Sequence, residues 1–319
     1  MGRFSFERIN AQQAEDFWQD SPHGSVFTHP QVLTRLSPDV HWWLARKGRE
    51  PFCLWPVCLE QDGNIHLPGL AYYVGPMWSR AGSSIPTHRW LADSTSVYKG
   101  LARKMIEHHG AVQAQLPVRL HDVRVFDWWN YHHPEKPRFT ILPRYTACIE
   151  NLQKRCVENI WSDFREVRRK EIRRLQRKGL PKRTFNWKEE ELIGFYCREL
   201  GGQGVSVSEP AQKLMQELIG LASQGWGQIF AFRDSVHGEI ASALVSLRAK
   251  GIWNMVLNAT ASNWRGSGLT AWTISTGITA AKDLGDDTCD FNGANSPARG
   301  DDKHSYGARP CLFFELRYP

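Results

Sequence analysis

The stretch Asn263-Trp264-Arg265-Gly266-Ser267-Gly268-Leu269 has the spacing that most suggests chemistry. Two glycines one residue apart let a backbone curl until several N–H groups face one point, and a helix starting there adds partial positive charge. Such a bend seats a pyrophosphate, so Arg265, Gly266, Ser267, Gly268 and Leu269 are the candidate donor-binding residues. Glycine pairs also make ordinary turns. What singles this one out is its place between a strand pattern and a helix pattern. Further on, Asp290 and Asn292 fall at a strand end and could orient an amine, although Asp290 could equally cap the next turn. His304 and Tyr306 follow in a polar loop. His304 could act as a base; as an exposed loop histidine beside Lys303 it reads more simply as a bystander. Tyr306 could protonate a leaving group, with packing the simpler role. These groups would suit acyl transfer, in which an amine attacks an ester or thioester carbonyl. Each good donor to the resulting oxyanion is worth ~3–4 kcal/mol.

A dense charge run, Arg165 to Arg183, lies mid-chain, with Arg169, Arg173, Arg174, Arg177 and Lys178 as candidate phosphate contacts. Trp161, Phe164, Val167, Ile172 and Leu175 recur through it at helical spacing, so it reads as one basic helix with an apolar stripe. It serves either as a solvated face at the domain junction or as a helix touching the phosphates of tRNA or a nucleotide-linked acceptor. The aromatic stretch Phe126–His133, which includes Trp129, could stack a base or sugar. With fourteen tryptophans in the chain, core packing is the commoner explanation.

The elements that must hold these residues are legible in outline. Helix patterns cover 11–19, a segment after Pro30, 95–109, 189–200, 210–223 and 268–283. Strand patterns cover 41–46, 52–59, 65–67, 119–126, 139–149, 228–233, 239–248, 252–258, 288–292 and 311–318. The second half runs helices, antiparallel meander, glycine turn, helix, strand, loop, strand, and the first half shows a blurred form of that order. The expectation is an α+β protein of two domains, 1–150 and 151–319. Each would be a mixed, mainly antiparallel sheet flanked by helices, and the last strand could pack across the junction.

Composition narrows the function. A chain of 319 residues with 41% hydrophobic residues supports two cored domains. No apolar run approaches the ~20 residues of a membrane span. The start, Met1 to Phe6, shows neither a secretory nor a myristoylation pattern, so a soluble cytoplasmic protein is expected. The net charge of +7 favours an anionic partner. Seven cysteines without CxxC spacing point to buried reduced thiols, and the doublets His108-His109 and His132-His133 form no chelate, so no metal is expected. Nucleophile-elbow, Walker and zincin signatures are absent.

Residues 155–319 resemble the C-terminal half of Fem-type peptidyltransferases and their acetyltransferase-like relatives in the GNAT superfamily. The motifs in common are Arg169-Lys170-Glu171-Ile172-Arg173-Arg174 with Lys178-Gly179-Leu180, then Asp290-Phe291-Asn292-Gly293, then Asp302-Lys303-His304-Ser305-Tyr306-Gly307. Asp302 and Tyr306 stand where the family has Phe. In the GNAT loop pattern Arg/Gln-x-x-Gly-x-Gly/Ala, Gly266 and Gly268 match the glycines and Asn263 departs at the first position. The resemblance implies tandem GNAT-like domains and no metal. It makes Lys303 the stabiliser of the oxyanion or leaving group, and Arg35 a counterpart of a phosphate-binding lysine. Three functions follow as expectations. One is an N-acyltransferase using an acyl-CoA donor and a small-molecule or sugar-linked amine. A second is an aminoacyl-tRNA-dependent transferase acting on a wall precursor or metabolite, with tRNA as partner. A third, without catalysis, is a nucleic-acid binding module built on the basic helix.

Overall fold

The computed structural model describes residues 3–319, with residues 298 and 299 described for their backbone alone. Met1 and Gly2, read above for targeting signals, lie outside the described residues. The chain divides into two compact units, residues 1–144 with 312–319, and residues 145–311. In chain order the first stretch holds β1 (Ser5–Ile9), α1 (Ala11–Asp20), α2 (Pro30–Leu36), β2 (Asp39–Lys47), β3 (Glu50–Leu59), β4 (Ile65–His66), β5 (Met77–Trp78), α3 (Arg80–Ser83), α4 (Thr87–His109), β6 (Val112–Gln115) and α5 (Arg124–Asp127). Strand β7 (Thr140–Ile149) follows. Then come α6 (Val157–Ser162), α7 (Glu166–Lys178), β8 (Lys182–Thr184), α8 (Glu189–Gly201), α9 (Glu209–Leu221), β9 (Gly227–Arg233), β10 (Ile240–Ala249), β11 (Ile252–Thr260), α10 (Leu269–Asp283), β12 (Thr288–Asp290), α11 (Pro297–His304) and β13 (Arg309–Tyr318).

In the first unit β1, β2, β3 and β4 form an antiparallel sheet, with β5 also on β3. Helix α4 covers it with the stripe Val97, Tyr98, Leu101, Ala102 and Met105, all buried at the i, i+3, i+4 spacing that gives a helix one apolar face. Strand β3 is buried on both faces from Phe52 onward, which is why its sequence shows no alternation.

The second unit is built on the order β7–β12–β11–β10–β9–β8. All its neighbours are antiparallel except β11 and β12, which run parallel because α10 carries the chain back between them. Helix α10 buries Leu269, Ala271, Ile274, Ile278 and Ala281 on the sheet. Gly277 permits the approach, since a Cβ there would lie 2.5 Å from Leu244 Cδ2.

The α+β expectation holds, and most elements fall where the patterns place them. Three differ. The strand expected at 119–126 is a loop ending in α5, because the consecutive Val125 and Phe126 are both buried and a one-faced strand cannot bury neighbours. The strand of this region is instead β6, where only Val112 and Ala114 face inward. The polar loop expected after Asn292 contains α11, so Lys303 and His304 sit on a helix.

Candidate active site

Ser267 and the glycines beside it shape the bend before α10. Gly266 and Gly268 take φ of +72° and +100°, a region that costs other residues about 1–2 kcal/mol. Ser267 Oγ donates to Trp264 O at 2.6 Å and accepts from Leu269 N at 3.1 Å, closing the turn on itself. Among the described residues, no intramolecular partner takes the amide N–H groups of Gly266, Gly268, Thr270 or Ala271. First-turn amides point along the helix axis, so they carry the positive end of α10. A chain of hydroxyls fixes that end on the sheet: Thr270 to Thr260 at 2.9 Å, Thr260 with Ser242 at 3.0 Å, and Thr273 to Ser242 at 2.9 Å. Arg265, expected to add a cation at the bend, turns away to the buried Glu199, with Nη2 3.3 Å from Oε2.

Strands β11 and β12 pair only from Ile252/Thr288 to Asn254/Asp290. Beyond that point β11 continues to Thr260, whereas β12 ends. The register of β10 on β11 slips between Val245/Leu257 and Ser246/Met255, leaving Val256 as the extra residue of a bulge. One edge of β11 is therefore released from its parallel neighbour, directly upstream of the glycine bend.

Asn292 sits where the strands part, with φ +49° and its side chain buried. Its N–H donates to Asp290 Oδ1 at 2.8 Å and its Nδ2 to Met255 O at 3.2 Å, while Oδ1 has no partner among the described residues. Asp290 also accepts from the Thr146 hydroxyl. Asp290 thus performs the turn-capping role of its two readings. Asn254, opposite Asp290 on β11, also carries a buried Oδ1 without a partner among the described residues. Its sequence signal was one of two asparagines in an otherwise largely apolar strand.

Lys303 Nζ donates to the carbonyls of Phe291, at 2.8 Å, and of Asn292 and Gly293. The ammonium therefore holds the segment after β12 in place. His304 Nδ1 lies 2.8 Å from Ala308 O, so that nitrogen carries the proton and Nε2 its lone pair. Tyr306 is wholly buried, stacked on Phe291 with centroids 5.9 Å apart and edge-on to Phe164 at 5.5 Å. Its hydroxyl has no partner among the described residues, and burial pushes its pKa up.

Helix α7 joins the bend to α11. Arg168, which was not singled out in the sequence, donates to Ser305 Oγ at 2.9 Å, pairs with Asp302 and with Glu171 at 2.8 Å, and lies over the Tyr306 ring at 5.5 Å. Burial raises the Asp302 pKa, and Arg168 offsets part of that. One turn along α7, Glu171 O faces Gly268 so closely that a Cβ there would lie 2.4 Å away. Arg174 donates to Gly266 O. The bend and the Lys303 helix thus pack on the same helix, about 5 Å apart along its axis. Arg165 adds a two-point pair with Asp301 at 2.8 and 2.6 Å. The sequence signal for these contacts was the Asp301-Asp302 doublet, matching cations three apart.

Of the other residues expected to bind phosphate, Arg173, Arg174 and Arg177 line an open groove of about 890 Å³ with Lys170. Arg169 donates to Ser162 O instead. Lys178 ends α7. Trp129 and Arg35 belong to the first unit. Trp129 packs in its core against Phe139 and Tyr318, at 5.3 and 6.0 Å between centroids, so the exposed rings nearby are Trp128 and Tyr131. Arg35 lies in the last turn of α2. Among the described residues no group of three or more His, Cys, Asp and Glu could hold a metal ion, and no helix is long and apolar enough to cross a membrane.

A meander whose last strand parts from a parallel neighbour, next to a helix starting at a glycine bend, is the architecture of an acyltransferase domain of the acetyltransferase type. Residues 162–303 match the family model for the acetyltransferase (GNAT) domain, which places the second unit in that family. FemX resembles the chain with a TM-score of 0.64 at 12% identity, over 97% of this chain and 96% of FemX. A tandem GNAT protein from the clavulanic acid biosynthesis pathway gives 0.52 at 11% identity, over 99% of this chain and 98% of that one. A GNAT-family acetyltransferase from Colwellia psychrerythraea gives 0.52 at 10%, over 98% and 99%. The expected tandem, GNAT-like and Fem-like fold is therefore the fold found. No curated protein matches the sequence.

Proposed function

We propose that this protein is an N-acyltransferase that moves an acyl group from an acyl-CoA-type donor to the amine of a small-molecule or sugar-linked acceptor. The observation that supports this reading is the released edge of β11 leading directly into the unpaired amides at the start of α10. In it, the amides of Gly266, Gly268, Thr270 and Ala271 seat the donor pyrophosphate, and the β11 edge hydrogen-bonds the amide groups of the donor arm. The thioester carbonyl then lies where the strands part. Asn292 Oδ1, buried and lacking a partner, orients the attacking amine, with Asp290 fixing Asn292 through its N–H. His304 is the proposed base, because its Nδ1–H···O=C bond leaves Nε2 able to take a proton. Lys303 acts as a positioning residue through the carbonyls of 291–293. Tyr306 packs.

A second reading, an aminoacyl-tRNA donor on the same site, is favoured by the groove lined with Lys170, Arg173, Arg174 and Arg177. A cytoplasmic location suits either donor. Thermal unfolding with acetyl-CoA and with charged tRNA separates the two. A ligand at about 100 times its Kd adds ~2.7 kcal/mol, and tRNA binding through several phosphates would weaken steeply with salt. Stabilisation by acetyl-CoA, lost in Gly268→Ala, is the expected result. Stabilisation by charged tRNA alone would replace the first reading with the second, and a response to neither would refute both.

A further inference from the structure

Seven cysteines leave the acyl-transfer reading untouched, and two of them meet. Cys148 lies on β7 and Cys311 on β13, neighbouring strands of the sheet. Arg144 and Glu315, four residues before Cys148 and four after Cys311, are ion-paired at 3.0 Å. The two strands therefore run antiparallel past one another with the cysteines in register. Directly opposed residues in such a pair have Cα atoms about 4.5–5.5 Å apart, inside the range a disulfide spans. Cys311 Sγ lies 3.8 Å from Arg309 O, and the two facing thiols shift one another's pKa in opposite directions. On its other side, Cys148 pairs with Asp290, so the two sulfurs continue a row of side chains that reaches the residue fixing Asn292.

The two thiols are not equivalent. Cys148 is buried, whereas Cys311 is half-exposed. The interaction with Cys148 lowers the Cys311 pKa; the same interaction, and then burial, raise that of Cys148. A small cavity of about 200 Å³ opens beside Cys148, lined also by Glu150, Arg155, Asp163 and Arg309. Arg309 offers a cation to a carboxylate of a small anionic disulfide, while Arg155 is paired with Asp163.

We propose that Cys148 and Cys311 are a reversible dithiol–disulfide pair, a modification site one strand from Asp290. The Cys311 thiolate attacks a sulfur of a small disulfide, forming a mixed disulfide and releasing one thiolate. Cys148 then attacks the Cys311 sulfur, expelling the second small thiol and passing its proton to solvent. One small disulfide becomes two thiols, and two protein thiols become one disulfide.

The test uses the full-length protein in oxidised glutathione, followed by acid quenching, alkylation, digestion and mass spectrometry. The expected product is a 148–311 disulfide that dithiothreitol reverses. Cys148→Ser is expected to stop at a lasting glutathione adduct on Cys311, and Cys311→Ser to leave Cys148 unmodified. Circular dichroism and the urea midpoint confirm that both variants fold. The exposed Cys156 serves as an internal control, since it should take up glutathione without cross-linking. Alkylated, unlinked Cys148 and Cys311 after Cys156 has reacted would overturn the proposal. So would a stable mixed disulfide on Cys311 in the unaltered protein, or a link that appears only in urea. No acyl donor enters the measurement, so its outcome is independent of the transfer reading.

Discussion

Replacing Gly268 by Ala tests the central contact between the bend and α7, and Gly266→Ala provides the comparison. Both glycines have positive φ, so each alanine carries a conformational cost of about 1–2 kcal/mol. Around Gly266 the space is open, with nothing within 4 Å of an added Cβ. At Gly268 the Cβ would lie 2.4 Å from Glu171 O and 2.8 Å from its carbonyl carbon. Those are helix backbone atoms, so α7 or the bend must shift, at an overpacking cost of about 1–3 kcal/mol more. Gly268→Ala should therefore destabilise by ~2–5 kcal/mol and Gly266→Ala by ~1–2. In a domain of this size about 1 kcal/mol corresponds to ~2–4 °C in Tm. Calorimetry on both variants, with and without acetyl-CoA, reads the difference. Equal shifts for the two alanines would refute the close approach, and retained acetyl-CoA stabilisation in Gly268→Ala would remove the bend from the donor site.

Lys303→Met should cost about 1.5–3 kcal/mol in urea unfolding, because three carbonyls lose a charged donor, and should abolish transfer. Unchanged stability would deny the lysine its anchoring role. Arg168→Met should cost a similar ~1.5–3 kcal/mol by loosening α11 from α7, seen as faster amide exchange over residues 297–305; unaltered exchange there would count against it. In the first unit, burial lowers the His23 pKa to about 4, with a backbone hydrogen bond at Trp78 opposing it and Arg119 adding to it. The unfolded chain then binds more protons between pH 4 and 6.5, so stability should rise with pH across that window. His23→Gln should reduce the rise in urea midpoints without abolishing it, because burial also lowers the His109 pKa to about 4, and an unchanged slope would exclude His23 as a contributor.

The basic helix shows how legible function was in the residues. Of its stripe, Phe164, Ile172 and Leu175 are in the core and Trp161 packs against it, whereas Val167 is exposed. Its charges, however, divide by partner: Arg165 and Arg168 serve α11, Arg174 serves the bend, and Arg173 and Arg177 line the groove. A one-dimensional pattern cannot assign the partners of Arg165, Arg168 and Arg174, because each is set by a segment more than ninety residues away.

Local information was sufficient wherever an element's reason for forming lies within itself. The period-3.6 stripe of α10, the glycine bend before it and the apolar strands β9 to β11 are such cases. Helix α11 is the opposite case. It has Pro297 at its start but no apolar stripe, and Arg165 and Arg168 grip Asp301 and Asp302 from a distant helix. Strand β8 likewise exists because β9 offers it an open edge. The amino-acid order by itself determined the glycine bend before α10 and, through the shared motifs, the resemblance to the GNAT superfamily. Only tertiary packing decided that Lys303 spends its donors on carbonyls, that Arg265 answers Glu199, and that Cys148 and Cys311 lie on neighbouring strands. Those outcomes depend on distances between segments remote in the chain, where neither periodicity nor spacing carries a signal.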